Sequence, residues 1–88
     1  MPVISQFYGI VIQMFFKENG RHHLPHIHVM YNEYNSIYDF NGNKIEGEIP
    51  RKQAKLVEAW ILLHAEELSS LWNLMKNGED YFKIEPLK

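Results

Sequence analysis

The chain contains no cysteine. Disulfides, thiol nucleophiles and thiolate metal sites are therefore excluded, and the composition fits a reducing compartment. Long apolar runs are missing too. Within the apolar start, MPVISQFYGIVIQMFF, the longest wholly apolar stretch is residues 9–12, far short of the ~20 residues a bilayer-spanning helix needs. That start also lacks the basic region and small-residue cleavage site of a signal peptide. A cytoplasmic protein with no membrane partner is the expectation. Positive charge is not in excess: 9 Lys and Arg stand against 11 Asp and Glu, for a net charge of −2. Binding to nucleic acid rests on a positive field, so the overall charge does not support it. Nucleophile motifs, phosphate-binding glycine loops and paired carboxylates are absent as well.

What is present is one domain, residues 1–88, with an ordinary 45% of hydrophobic and 23% of charged residues. A chain of this length buries only about two-thirds of its unfolded surface, enough for one modest core. The aromatic share of 14% is high and points to a core or interface built on large flat side chains. The most distinctive segment is HHLPHIH, which places four of the five histidines between His22 and His28. Imidazole is the commonest protein ligand for transition metals, and its charge changes near physiological pH. Pro25 disfavours helix at Leu24 and opens an extended segment. His26 and His28 then stand two apart on a strand and project to the same face.

The first half reads as four strands. Residues 9–16 alternate loosely and are rich in β-branched and aromatic side chains. A polar turn with an Asn-Gly signal follows at residues 17–21, then strands at 26–31, 34–40 and 44–49. Asn32 and Glu33 are suited to a tight hairpin, and the Asn41, Gly42, Asn43 run is a strong turn signal. Short loops between successive strands imply an antiparallel meander. After Pro50 the period changes. Leu56, Val57, Trp60, Ile61, His64, Leu68, Leu71, Trp72 and Met75 recur at three and four residues, which is helical. Continued to Asn77 the helix would be ~40 Å long, so either one long helix or two with a bend near residues 64–66 is expected. Asn77 and Gly78 form a C-terminal stop. The tail, residues 81–87, is expected to add a short edge strand or to lie on the sheet. The fold class is α+β: a four-stranded antiparallel sheet followed by a long or bent helix on one face.

Two histidines at i and i+2 supply only half of a tetrahedral shell, so a metal site would need His22, His23, Asp39 or Glu33 to complete it. No fourth ligand can be named and no cysteine is available; the expectation is no metal and no cofactor. His64 sits in an apolar helical stripe and is expected to be a structural histidine, bonded to a backbone carbonyl or to a Tyr or Asp of the sheet. Trp60 and Trp72, ~120° apart around a helix, read as core anchors. One helical layer covers one face of a sheet. His26, His28 and Met30 alternate with Ile27 and Val29, and are therefore expected on the open face, solvent-accessible and ready to bind.

Several segments in this order resemble a known family. The start MPVISQFYGIVIQMFF, the PHIHV strand (Pro25 to Val29), the EGEIPRKQ helix entry, the VEAWILLHAEELSSLW stretch and the final KNGEDYFKIEPL resemble the short bacterial family called domain of unknown function 4160. Members more often show two prolines before the first histidine. Here Leu24 replaces the first, and His22 and His23 are extra. The family brings no settled activity, but its members are often encoded beside another small domain in an arrangement that resembles a toxin–antitoxin pair. One-sided helical cover leaves the other sheet face open to a second copy, a partner protein or a ligand, and the resemblance adds a small partner encoded nearby; a protein-interaction module, as one half of such a pair, is the leading expectation. The alternative is a small metal-independent endoribonuclease that draws acid, base and phosphate clamp from His26, His28, Tyr31 and Arg51. Whether the chain is an enzyme is left open by the residues alone.

Overall fold

A computed structural model describes residues 2–16 and 24–87. Five strands precede two helices: β1 (Val3–Phe7), β2 (Ile10–Gln13), β3 (His26–Tyr31), β4 (Tyr34–Asp39), β5 (Lys44–Gly47), α1 (Arg51–Leu63) and α2 (Ala65–Lys76). The strands form one antiparallel sheet in the order β1-β2-β3-β4-β5. The α+β class and the meander stand, but the sheet has five strands where four were expected. The missed strand is β1. It is joined to β2 by a two-residue turn in which Tyr8 (φ 49°) and Gly9 (φ 78°) both take the left-handed conformation. Turns of this kind favour Asn or Asp before Gly, and a bulky Tyr carries no such signal. The β3–β4 hairpin turns where expected, with Asn32 at φ 52°. The polar turn at residues 17–21 lies outside the described residues.

Alternation along the strands sorts the side chains. Ile12, Val29 and Ser36 are cross-strand neighbours on one face, as are Ile27 and Tyr38. All five are buried, together with Ile10 and Met14. Both helices cover this face, contributing Val57, Trp60 and Ile61 from α1 and Leu68, Leu71 and Trp72 from α2. Each large apolar side chain so buried contributes about 1.5–3 kcal/mol relative to exposure. Ser5 and Ser36 carry buried hydroxyls with no hydrogen-bond partner among the described residues.

The helical stripe is two helices, bent at one residue. His64 (φ −119°, ψ 22°) closes α1 and opens α2. Its N–H donates to the carbonyls of Trp60 (3.0 Å) and Ile61 (3.2 Å), and its own carbonyl accepts from Leu68 N–H at 2.9 Å. α2 stops as the Asn77 and Gly78 signal requires. Gly78 (φ 74°) donates to Met75 O, and Glu79 N–H reaches back to Leu74 O at 2.8 Å, the paired bonds of a Schellman cap. The tail forms no strand. It lies along β1, where Ile84 N–H donates to Ile4 O at 2.7 Å, and Glu85 O accepts from Trp60 Nε1 at 2.8 Å.

Candidate functional site: the uncovered sheet face

The face turned away from the helices carries two cross-strand rows. Gln13, His28, Ile37 and Glu46 form one, and Val11, Met30 and Asn35 the other. A shallow groove of about 380 Å³ runs over them, lined by Gln13, His28, Met30, Asn35, Ile37 and Glu46 among others. Its end at β5 is shaped by Gly47 (φ 85°). A Cβ there would collide with the Asn35 carbonyl oxygen and lie 2.8 Å from Ser36 Cα, so glycine lets β5 close on β4. Apolar, amide, imidazole and carboxylate groups share the floor, which suits contact with a surface of mixed polarity.

His28 is half-buried beside this groove. Its ring stacks on Phe15, with centroids 4.6 Å apart and planes at 23°, and lies 5.2 Å from the ring of His26. Met30 is also half-buried on the open face, as its alternation requires. His26 departs from expectation. It is only 8% exposed, and its ring lies 5.4 Å from that of Trp72. The Trp72 ring also packs T-shaped with those of Phe16 and Phe40, the residues flanking this end of the sheet in sequence. The first residue of β3 is thereby covered, whichever face its side chain starts from. The Nδ1 of His26 donates to Leu24 O at 2.7 Å, since a carbonyl can only accept.

The other predicted residues are dispersed. Tyr31 packs against the core, on the face opposite His28, and Arg51 is exposed at the start of α1. The four endoribonuclease candidates are therefore not brought to one site. Glu33 lies in the turn at the far end of β3 from His26. Asp39 is the cross-strand neighbour of His26, but its carboxylate is engaged by its own turn. It accepts from the backbone N–H groups of Asn41 and Asn43, both at 2.9 Å, and from Asn43 Nδ2 at 3.2 Å. Burial alone would raise the Asp39 pKa. The hydrogen bonds from Asn43, Asn41 and Gly42 outweigh it and hold the carboxyl below its ordinary value of 3.8. Among the described residues, no three His, Asp or Glu side chains gather closely enough to hold a metal ion. His22 and His23 lie outside the described residues.

His64 is largely buried, as its place in the stripe implied, but its partner is neither a backbone carbonyl nor a sheet residue. Its Nδ1 donates to Glu67 Oε1, three residues on, at 2.6 Å, and its ring lies 5.4 Å from Trp60. Trp60 and Trp72 are both buried in the core.

With this geometry in place, comparison with known proteins gives one match. The family model described as Domain of unknown function (DUF4160) matches residues 9–73. The chain belongs to this family. No curated protein and no solved structure matches it. The DUF4160 match runs from the turn before β2 into α2 and takes in β2 to β5, α1 and the open face. Sequence reasoning had not selected Phe15, Ile37, Glu46 or Gly47. The alternation of β4 contained the signal for Ile37. Nothing local marked Glu46, because its place opposite Ile37 depends on a register shift between β4 and β5.

Proposed function

We propose that this DUF4160 chain is a small protein-interaction module that docks its partner on the open sheet face, as one member of a pair of the toxin–antitoxin kind. The observation that carries this reading is the one-sided cover of the sheet. Both helices lie on one face, and the other keeps half-buried Val11, Met30 and Ile37 around a groove with His28 beside it. Apolar side chains left part-exposed between polar neighbours are the usual composition of a binding surface. The endoribonuclease alternative needs histidine, tyrosine and arginine at one place, and no observation favours it.

The test is affinity capture of the product of the adjacent gene after co-expression. Met30→Glu and Ile37→Glu are expected to abolish capture, because each buries a charge in the interface. Both should leave the melting temperature within a few degrees of the parent, since neither side chain packs in the core. Capture that survives both substitutions would refute the open face as the docking surface.

A further inference from the structure

A second concavity lies where β3 finishes, at the end of the strand opposite His26. It holds about 570 Å³, more than the groove on the open face, and is walled by Tyr8, Tyr31, Lys52, Gln53, Leu56 and Leu87. Four parts of the chain meet here: the β1–β2 turn, the last residue of β3, the first turns of α1 and the tail. Tyr31, Leu56 and Leu87 are part-buried against the core, which fixes the apolar walls. The turn is seated on one of them, since a Cβ at Gly9 would stand 3.4 Å from Tyr31 Cε1. The polar groups lining the cavity are not used by the fold. Among the described residues, neither phenol, nor the Gln53 amide, nor the Lys52 ammonium has a side-chain hydrogen bond or ion pair within the protein. Ligand pockets have this make-up, mostly apolar and aromatic walls with a few convergent polar groups.

We propose that this cavity binds a small ligand of one chemical kind, a planar aromatic ring system carrying an anionic group. The ring packs against the two tyrosine rings and the leucines, which favour flat apolar surface. The anion is drawn to Lys52, the one charged side chain among the described lining residues. No carboxylate competes for that ammonium, because none lines the cavity and the first turn of α1 carries no acid. The phenols and the Gln53 amide supply donors to the same anion and to ring substituents. Tyr8 gives independent support. At φ 49° it is strained for a bulky side chain, in a turn position that Asn or Asp takes without cost. That strain sets a 60% exposed aromatic ring at the rim of the cavity, and strained positions of this sort cluster at ligand sites. The cavity shares no lining residue with the open-face groove, so it stands whether or not that face docks a partner.

Isothermal titration calorimetry of the full chain tests this with naphthyl phosphate and naphthylacetate as probes. Neutral naphthylacetamide and the ringless ions, inorganic phosphate and acetate, serve as controls. At least one naphthyl anion should bind with a Kd below about 1 mM, and roughly tenfold or more tighter than the controls. The tighter of the two anions tells a phosphate ligand from a carboxylate. Lys52→Gln should weaken it roughly tenfold, through loss of a charge-assisted contact. Lys55→Gln makes the same charge change outside the cavity and should alter the affinity by less than about twofold. Tyr8→Asn should weaken binding roughly fivefold while the melting temperature stays level or rises, because it relieves the turn as it removes the ring. Failure of both anions to bind, naphthylacetamide binding as tightly as they do, or equal losses in Lys52→Gln and Lys55→Gln would each overturn the proposal. So would a Tyr8→Asn variant that binds like the parent or melts several degrees lower.

Discussion

The two faces of the sheet are built from the same strands, yet they differ in kind. On the helical face, Ile12, Ile27 and Val29 are fully or almost fully buried. One residue along the same strands, Gln13, His28 and Met30 are half-buried in a groove. Strand geometry supplies the alternation, but it does not say which set the helices will cover. That is decided by hydrophobicity, with the most uniformly apolar rows going under the helices and rows that mix apolar and polar groups outward. The comparison teaches that exposure in a domain this small is a property of layers. His26 shows the limit of the rule, since it belongs to the outer set by alternation and is buried by a helical side chain at the sheet end.

The sharpest way to break the comparison is a pair of substitutions three residues apart on β3, on opposite faces of the sheet. Ile27→Ala removes a fully buried side chain from the core and should cost about 2–5 kcal/mol in urea denaturation. Met30→Ala, on the outer face, should cost less than about 1 kcal/mol. Equal losses would mean that the outer face is packed as tightly as the inner one.

A smaller effect comes from Asp39, on the outer set of β4. Its carboxyl ionises more readily in the folded chain than in the unfolded one, so its contribution to stability is complete at pH values above about 3.8. As the pH falls through that value and then through the lower folded one, the contribution disappears. Asp39→Asn should therefore be about 1 kcal/mol less stable than the parent at neutral pH. The gap should narrow below the ordinary carboxyl range. Acid titration of the denaturation midpoint checks this, and a gap independent of pH would assign the loss to shape instead of charge.

The smallest expected effect tests the inner face. The Ser36 hydroxyl is buried there without a partner among the described residues. Ser36→Ala removes an unmet polar group and little volume, and should leave stability unchanged or raise it by up to about 1 kcal/mol. A clear loss in the same denaturation assay would mean that the hydroxyl has a partner in solution.

Much of the fold was legible because its signals are local. Pro25 and Asn32 bracket β3, Pro50 precedes α1, and Gly78 ends α2 with both cap bonds in place. A bend near residues 64–66 was one of two expectations, beside a single long helix, and the structure has it at His64. The failures are of another kind. β1 was merged into the apolar N-terminus because Tyr8 occupies a turn position that small polar residues normally announce. The burial of His26 depends on Trp72, far along the chain, and the partner of His64 on a rotamer of Glu67 that periodicity cannot reveal. Of the candidate site, His28 and Met30 were found from the alternation of one strand. The rest of the groove is set by register across β4 and β5, including a shift between Ile37 and Tyr38.

Because every strand pairs with its neighbour in sequence, the sheet can zip from one hairpin to the next without waiting for distant segments to meet. Tight turns at Tyr8 and Gly9, at Asn32 and Glu33, and at residues 40–43 keep three of these closures short. Chains dominated by such local pairings fold quickly for their size. The tail is the exception. Its bond from Ile84 to Ile4 joins opposite ends of the chain, so among the backbone contacts of the described residues it carries a large closure entropy. That clasp is the natural last event of folding and the first to open, and when it opens the free edge of β1 is bared to any other strand that can pair with it.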